Sequence, residues 1–468
     1  MAAPLSDLAT LCSGPLLTDP VDTARFLTDW RGLWRGEALG VAIPETPQET
    51  ARIVRWCAEH KVPVVPQGGN TGLSGGATPD ASGRALLLSL ARMNRVRSVD
   101  PLNATMTLDA GCLLGSAQAA AAEAGRLFPL SLAAEGSCTI GGNLATNAGG
   151  TGVLRYGNAR DLCLGIEVVT AQGELWDGLK GLRKDNSGYD LRDLFIGSEG
   201  TLGVITGAVM KLVPRPAARV VALLAVPSAP AALAMLEMAR ARFDTGLTAF
   251  ELFSETCLGL VLAHVPGARR PFGDAAPRYV LVELSDPADE DRARSLLETL
   301  LADGIDQGSI EDAVVAQSVA QNKALWALRE DISEAQAAAG KTIKHDIALP
   351  ISRLAAFLAE ADGAVRDRWP DLKFVTFGHL GDGNLHYNFS PADGGDPSEF
   401  LGRQEALNAL VHDIVIRHGG SISAEHGLGV LRRDEAARFK APVELAMMHA
   451  VKRALDPDNI MNPGKLLP

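Results

Sequence analysis

The 468-residue sequence has no Cys-x-x-Cys pair, no excess of basic residues and no apolar run approaching the ~18 residues of a membrane span. Its six cysteines (Cys12, Cys57, Cys112, Cys138, Cys163, Cys257) are scattered, which reads as reduced, mostly buried thiols rather than disulfides or a zinc knuckle. Lys and Arg total 44 against 56 Asp and Glu, a formal net charge of −12. Nucleic acid and anionic membrane surfaces are therefore poor partners. The N-terminal stretch lacks a basic region, a continuous apolar core and Arg-rich amphipathic character, so a cytoplasmic location is expected. Internal repeats and low-complexity segments are also lacking. What is present is ordinary globular composition, 47% hydrophobic and 21% charged. At roughly 100–200 residues per domain, the length suggests two or three domains.

The first strong unit begins at Thr46-Pro47-Gln48-Glu49, an N-cap Thr, a Pro at the first helical position and a Glu that can reach back. The helix ends near Lys61, and V-P-V-V-P reads as a strand delivering the chain into P-Q-G-G-N-T-G-L-S-G-G, Pro66 to Gly76. Strands are expected at 85–90, 104–108, 165–176 and 203–213, with a helix at 115–125. Val213-Pro214-Arg215-Pro216 interrupts both helix and strand and marks a domain boundary. Beyond it, strands at 220–226, 248–253 and 279–284 alternate with helices at 229–242 and 289–303. That is the β-α-β-β-α-β rhythm of a ferredoxin-like sheet with helices on one face. The expected domains are 1–215, a cap at 216–420, and a C-terminal segment at 421–468.

Glycine lets successive backbone N–H groups converge on an anion such as a pyrophosphate, and in the first loop Asn70, Thr71 and Ser74 add uncharged donors. A second tract, G-S-C-T-I-G-G-N-L-A-T-N-A-G-G-T-G from Gly136 to Gly152, interleaves glycine with Ile140, Leu144 and Ala145. Neither tract is a G-x-G-x-x-G opening a helix or a P-loop, so NAD and ATP are disfavoured. These tracts, F-I-G-S-E-G-T-L-G-V-I-T at 195–206 and the final N-P-G-K resemble, in order, the FAD-binding flavoenzymes of the vanillyl-alcohol oxidase type. The resemblance implies an α+β protein with a two-part FAD-binding domain of mixed sheets and a cap of antiparallel sheet covered by helices. It assigns FAD binding to Pro66, Gly68, Gly69, Asn70, Thr71, Gly72, Leu73 and Gly75 of the first loop. In and just beyond the second tract it assigns Gly136, Ser137, Gly141, Gly142, Asn143, Thr146, Asn147, Gly149, Gly150 and Gly157. Glu199, Gly200, Gly203, Val204, Ile205 and Asn462 complete the set. Covalent relatives often carry His where this chain has Asn70, so the flavin is expected to be held non-covalently.

K-F-V-T-F-G-H-L-G-D-G-N-L-H-Y-N-F-S, 373–390, is two period-2 runs around Asp382-Gly383, a favoured two-residue hairpin turn. With those residues at the tip, His379 faces His386 with Cβ atoms about 4.5–5.5 Å apart, and Phe377 faces Asn388. Two such imidazoles can chelate one ion. Glu425, in S-A-E-H-G-L-G, can add a carboxylate and leaves His426 for proton transfer. Two His plus one carboxylate with open positions is a catalytic zinc arrangement that iron, manganese or cobalt would also accept.

G-H-L-G-D-G-N-L-H with S-A-E-H-G-L-G is similar to the D-2-hydroxyglutarate dehydrogenase branch of that family. The resemblance implies metal ligands His379, His386 and Glu425, the base His426 and a substrate-contacting amide at Asn388. Arg329 and Ser333, four apart on an expected helix over 324–335, can share one face with Lys344 nearby. The resemblance places them around the substrate's distal carboxylate, with Ser333 standing where Thr is usual.

The function implied is FAD- and metal-dependent oxidation of a D-2-hydroxy acid, foremost D-2-hydroxyglutarate. D-lactate, glycolate and D-malate dehydrogenases are the near alternatives, and a flavin-dependent non-redox transferase or a pure electron-transfer flavoprotein the distant ones. The partners are the small-molecule acid and an electron acceptor, whether an electron-transfer flavoprotein, a quinone or a dye. The oligomeric state stays open, a homodimer being one option.

Overall fold

The structure is a computed structural model that describes residues 5–468. The first four residues, where the reading of the N-terminal stretch begins, lie outside the described residues. The chain divides into two compact units, one holding the chain up to Gly149, Gly157–Arg215 and Glu425–Pro468, the other Gly150–Tyr156 and Pro216–Ala424.

In the first unit, strands β1 (Leu16–Leu17), β2 (Gly40–Ala42), β3 (Val64–Gln67) and β4 (Leu86–Ser89) form a sheet of order β1-β2-β4-β3. Helix α1 (Pro47–His60) connects β2 to β3 and buries Ile53, Val54, Trp56 and Cys57. It starts where expected, with the Thr46 side chain accepting from Glu49 N. Glu49 reaches further back than expected and accepts from Glu45 N at 2.7 Å. The second sheet holds β5 (Val96–Asp100), β6 (Thr105–Asp109), β7 (Cys163–Thr170), β8 (Leu175–Gly178) and β9 (Gly203–Lys211), in the order β5-β6-β9-β7-β8. One strand was expected over 165–176, but a turn splits it into β7 and β8. Gly173 makes that turn at φ +72°, where a Cβ would also sit 2.5 Å from Arg55 N.

The second unit is built on one seven-stranded antiparallel sheet. Its strands are β10 (Ala218–Val226), β11 (Leu247–Ser254), β12 (Arg278–Asp286), β13 (Asp312–Val315), β14 (Asp346–Ala348), β15 (Lys373–His379) and β16 (Asn384–Ser390). The order β13-β10-β12-β11-β15-β16-β14 contains the expected ferredoxin-like motif as its first four strands and extends it by three. Helices on one face only were expected, and the structure corrects this. β10 is buried at nearly every position, the pattern of a strand covered on both sides. One face packs Val221, Leu223, Phe253 and Tyr279 against α3 (Glu255–His264), α5 (Val319–Glu330) and α6 (Ile332–Ala339). Helices α2 (Ala229–Phe243) and α4 (Glu290–Asp306) contact the sheet without joining that cluster.

Candidate active site

In the first unit the glycine-rich segments interlock. A Cβ added at Gly68 would sit 2.3 Å from Thr139 Oγ1, and one at Gly69 only 2.0 Å from Ser137 O. Gly200 closes on Pro66 in the same way, at 3.0 Å from its Cγ. These three segments wall one pocket. From the expected set it is lined by Pro66, Gly68 to Gly72, Gly141, Gly142, Asn143, Thr146, Glu199, Gly200, Gly203, Val204 and Ile205. Leu73, Gly75, Gly136, Ser137, Asn147, Gly149, Gly157 and Asn462 do not line it, and Gly150 belongs to the second unit. Sequence reasoning missed Gln67, Thr139, Phe195 and Ser198 in its wall. Gln67 lies between Pro66 and Gly68 and Ser198 adjoins Glu199, whereas Thr139 and Phe195 adjoin none of the assigned residues.

Two expected donors turn out to be ties. Asn70 takes a left-handed conformation (φ +53°), which Asn tolerates, and its amide donates to Thr28 O at 2.9 Å. Ser74 Oγ lies 3.1 Å from both His426 O and Gly427 O. Glu199, also left-handed, accepts from Leu428 N and Gly429 N at 2.8 Å each. Burial pushes its carboxyl above the ordinary range despite those two donors. Asn462 donates to Gly76 O and Glu199 O. The run from Glu425 is thereby fastened to the glycine loops, and His426 lines the same pocket.

In the cap, the hairpin register differs from expectation. Phe377, not His379, stands opposite His386, and Val375 stands opposite Asn388. The turn takes four residues, 380–383, with Gly383 N bonded to His379 O. The shift is by two residues, so side-chain parity is kept and both histidines stay on one face. Their ring centroids are 6.0 Å apart and a nitrogen of each lies within 4.8 Å of the other.

Glu251, not anticipated from the sequence, lies opposite His379 on β11. It is 1% exposed, its carboxylate 2.8 Å from His379 Nδ1 and 3.0 and 2.9 Å from Arg329 Nε and a terminal nitrogen. Burial alone would raise its pKa, but the charges of His379 and Arg329 override that and hold it below the ordinary range. Asp346 stands opposite His386, its Oδ1 3.9 Å from Nδ1. Ala424 N donates to Asp346 O, so the chain reaches Glu425 one residue after an anchor beside His386.

The distal set is only partly as expected. α5 ends at Glu330 and α6 starts at Ile332, so Arg329 and Ser333 are on separate helices. Arg329 is buried and Ser333 exposed, and they share no face. Lys344 continues the β14 register opposite Asn388. Asn388 itself accepts from His345 N and donates to Gln336 Oε1. No disulfide occurs among the described residues, and burial pushes Cys112 and Cys257 up to about 11, so cysteine has no visible role. No helix among them is long and apolar enough to cross a membrane.

A profile described as "FAD binding domain" matches residues 38–178, and one described as "FAD linked oxidases, C-terminal domain" matches 215–466. The chain is 42% identical to a D-2-hydroxyglutarate dehydrogenase of Xanthomonas citri pv. viticola over 96% of this chain and 94% of that one. It is 41% identical to the mitochondrial D-2-hydroxyglutarate dehydrogenase of Bos taurus, over 99% and 83% respectively. Among solved structures, p-cresol methylhydroxylase shares the fold at TM-score 0.78 with 16% identity, over 99% of this chain and 96% of that one. Matched by one family profile over more than half its length and by these relatives nearly end to end, the chain belongs to the FAD linked oxidases and is an FAD-dependent dehydrogenase.

Proposed function

We propose that the chain oxidises D-2-hydroxyglutarate to 2-oxoglutarate with non-covalently held FAD and a divalent metal ion, Zn2+ in the first instance. The observation that carries the reading is the cap face, where two imidazoles on adjacent strands are flanked by carboxylates, as metal-bound histidines usually are. His379, His386 and Glu425 are the ligands, with Glu425 beginning one residue beyond the Ala424 anchor. Nitrogen and carboxylate donors fit zinc and its neighbours.

Bound in place, the metal supplies Lewis acidity towards the substrate hydroxyl and the flavin supplies the acceptor for the C2 hydride. His426 takes the hydroxyl proton at its imidazole, so the acid loses one proton and one hydride and becomes the 2-oxo acid. Arg329 and Lys344 hold the distal carboxylate, with Asn388 in the same set. Two nitrogens of Arg329 already face Glu251, which fixes the guanidinium plane before substrate arrives. Asn70 offers no nucleophile for a flavin bond, which supports non-covalent FAD.

Anaerobic mixing with D-2-hydroxyglutarate, D-malate, D-lactate, glycolate and the L-isomers tests the reading. D-2-hydroxyglutarate should bleach the flavin fastest, and chelation should stop the bleaching until Zn2+ is restored. Preferred oxidation of D-lactate overturns the substrate assignment, and full activity in a preparation metal-free by elemental analysis overturns the metal. No bleaching by any acid would favour a non-redox transferase.

A further inference from the structure

Glu251 is a carboxylate in the interior of the cap sheet, 1% exposed, and burying such a charge is costly unless it is compensated. Arg329 compensates it: Nε and a terminal nitrogen reach Oε2 at 3.0 and 2.9 Å, from a side chain itself 7% exposed. Both of these contacts fall on Oε2. Oε1 nevertheless lies 2.8 Å from His379 Nδ1, placed there by the β11–β15 register that sets Glu251 opposite His379. Contacts close the circuit: the Arg329 guanidinium carbon lies 4.9 Å from the Phe377 ring centroid, and that ring is 4.8 Å from His386.

We propose that Glu251 is a positioning residue for both ends of the substrate site, a step that rests on the metal reading above. An ionised carboxylate at Nδ1 requires the hydrogen on Nδ1, which puts the His379 lone pair on Nε2, where a metal is bound. The same carboxylate holds the Arg329 guanidinium in one plane. One buried group therefore sets the tautomer of a metal ligand and the orientation of the cation assigned to the far carboxylate.

Gln at this position separates positioning from packing. Its amide has one acceptor oxygen for two donors, Arg329 and His379 Nδ1–H. If Arg329 takes the oxygen, the NH2 faces Nδ1 and drives the hydrogen to Nε2, blocking the ligand atom. The test is Zn2+ affinity of the purified flavoprotein by competition with a chromophoric chelator, together with the visible spectrum of the Co2+ form. Glu251→Gln should bind Zn2+ roughly 10- to 100-fold more weakly, the usual loss when a ligand's supporting partner is removed. FAD content should stay at the wild-type level and the Co2+ bands should shift. Because Glu251→Gln leaves Arg329 unbalanced, the double variant Glu251→Leu with Arg329→Met, which removes both charges at similar volume, serves as the second test and should show the same weakening. Wild-type affinity in either folded variant overturns the role of Glu251. Wild-type protein that binds neither Zn2+ nor Co2+ overturns the metal reading itself, a separate outcome.

Discussion

The pocket of the first unit is walled by glycines, several of whose missing Cβ positions are occupied by neighbouring atoms, with Ser137 O only 2.0 Å from where a Gly69 Cβ would lie. The cap face carries its chemistry in ionisable side chains, with Glu251, His379, His386 and Asp346 brought together by strand register and Arg329 reaching Glu251 from α5. The first kind of site is built largely from backbone and is intolerant of a methyl group. The second tolerates small changes of volume but not an unbalanced charge. Substitutions in the two regions should therefore fail by different routes, and each experiment below asks whether that division holds.

The largest effect is expected where the division is crossed. His426 is an imidazole lining the glycine pocket, and its backbone carbonyl, not its ring, ties it to Ser74 Oγ. His426→Asn should keep that tie, retain FAD, and slow flavin reduction by D-2-hydroxyglutarate roughly 10²–10⁴-fold, the usual worth of a positioned acid or base. Stopped-flow absorbance measures it. A rate within a few-fold of wild type would return His426 to a purely structural part of the loop.

Gly69→Ala sharpens the comparison from the other side. The new methyl meets the carbonyl of Ser137, which is backbone and cannot rotate away, so one of the two tracts must shift. Overpacking of this kind costs about 1–3 kcal/mol. FAD affinity should fall roughly 10- to 100-fold while Zn2+ affinity stays unchanged, read by fluorescence on release of FAD and by elemental analysis. Equal loss of both would mean that the two regions are energetically one.

The same contrast explains what could be read from the sequence. Glycine-rich loops announce themselves as strings, because the absence of Cβ is a property of the residue, so Gly68, Gly69 and Gly141 were visible before any geometry. Lining residues such as Phe195 and Thr139 were missed, since only the closing of the segments makes them neighbours. In the hairpin, His379 and His386 were found despite a register wrong by two, because an even shift preserves the face. Ser333 shows the opposite failure. Sequence periodicity ran a single helix through Asp331, whereas α5 ends at Glu330 and a new axis starts at Ile332, so a four-residue spacing no longer meant one face. Glu251 left no local signal at all. It sits 128 residues from His379, in a strand with no other charged residue, and only the pairing of β11 with β15 brings it to that histidine.

The smallest effect concerns what a charge costs in each region. In the cap, Glu251 is held below the ordinary carboxylate range by its two partners, so its contribution to stability is present above about 4.5 and lost as pH falls. In the first unit, Lys465 is buried with Nζ donating to Thr78 O at 2.8 Å, and burial lowers its pKa from 10.5 to about 8. The sign is the reverse. Between about 8 and 10.5 the unfolded chain holds a proton that the folded chain has released, so stability from this group rises with pH across that window. Below about 8 both states are protonated and the penalty is constant. Lys465→Met removes the titration together with the bond to Thr78 O. The stability difference between wild type and variant, measured by urea unfolding, should therefore change by on the order of 1–3 kcal/mol between pH 8 and pH 10.5, in favour of wild type as pH rises. A difference that stays flat across the window would show that Lys465 is compensated as fully as Glu251, and the contrast between an uncompensated charge in the first unit and a balanced one in the cap would then fail at that position.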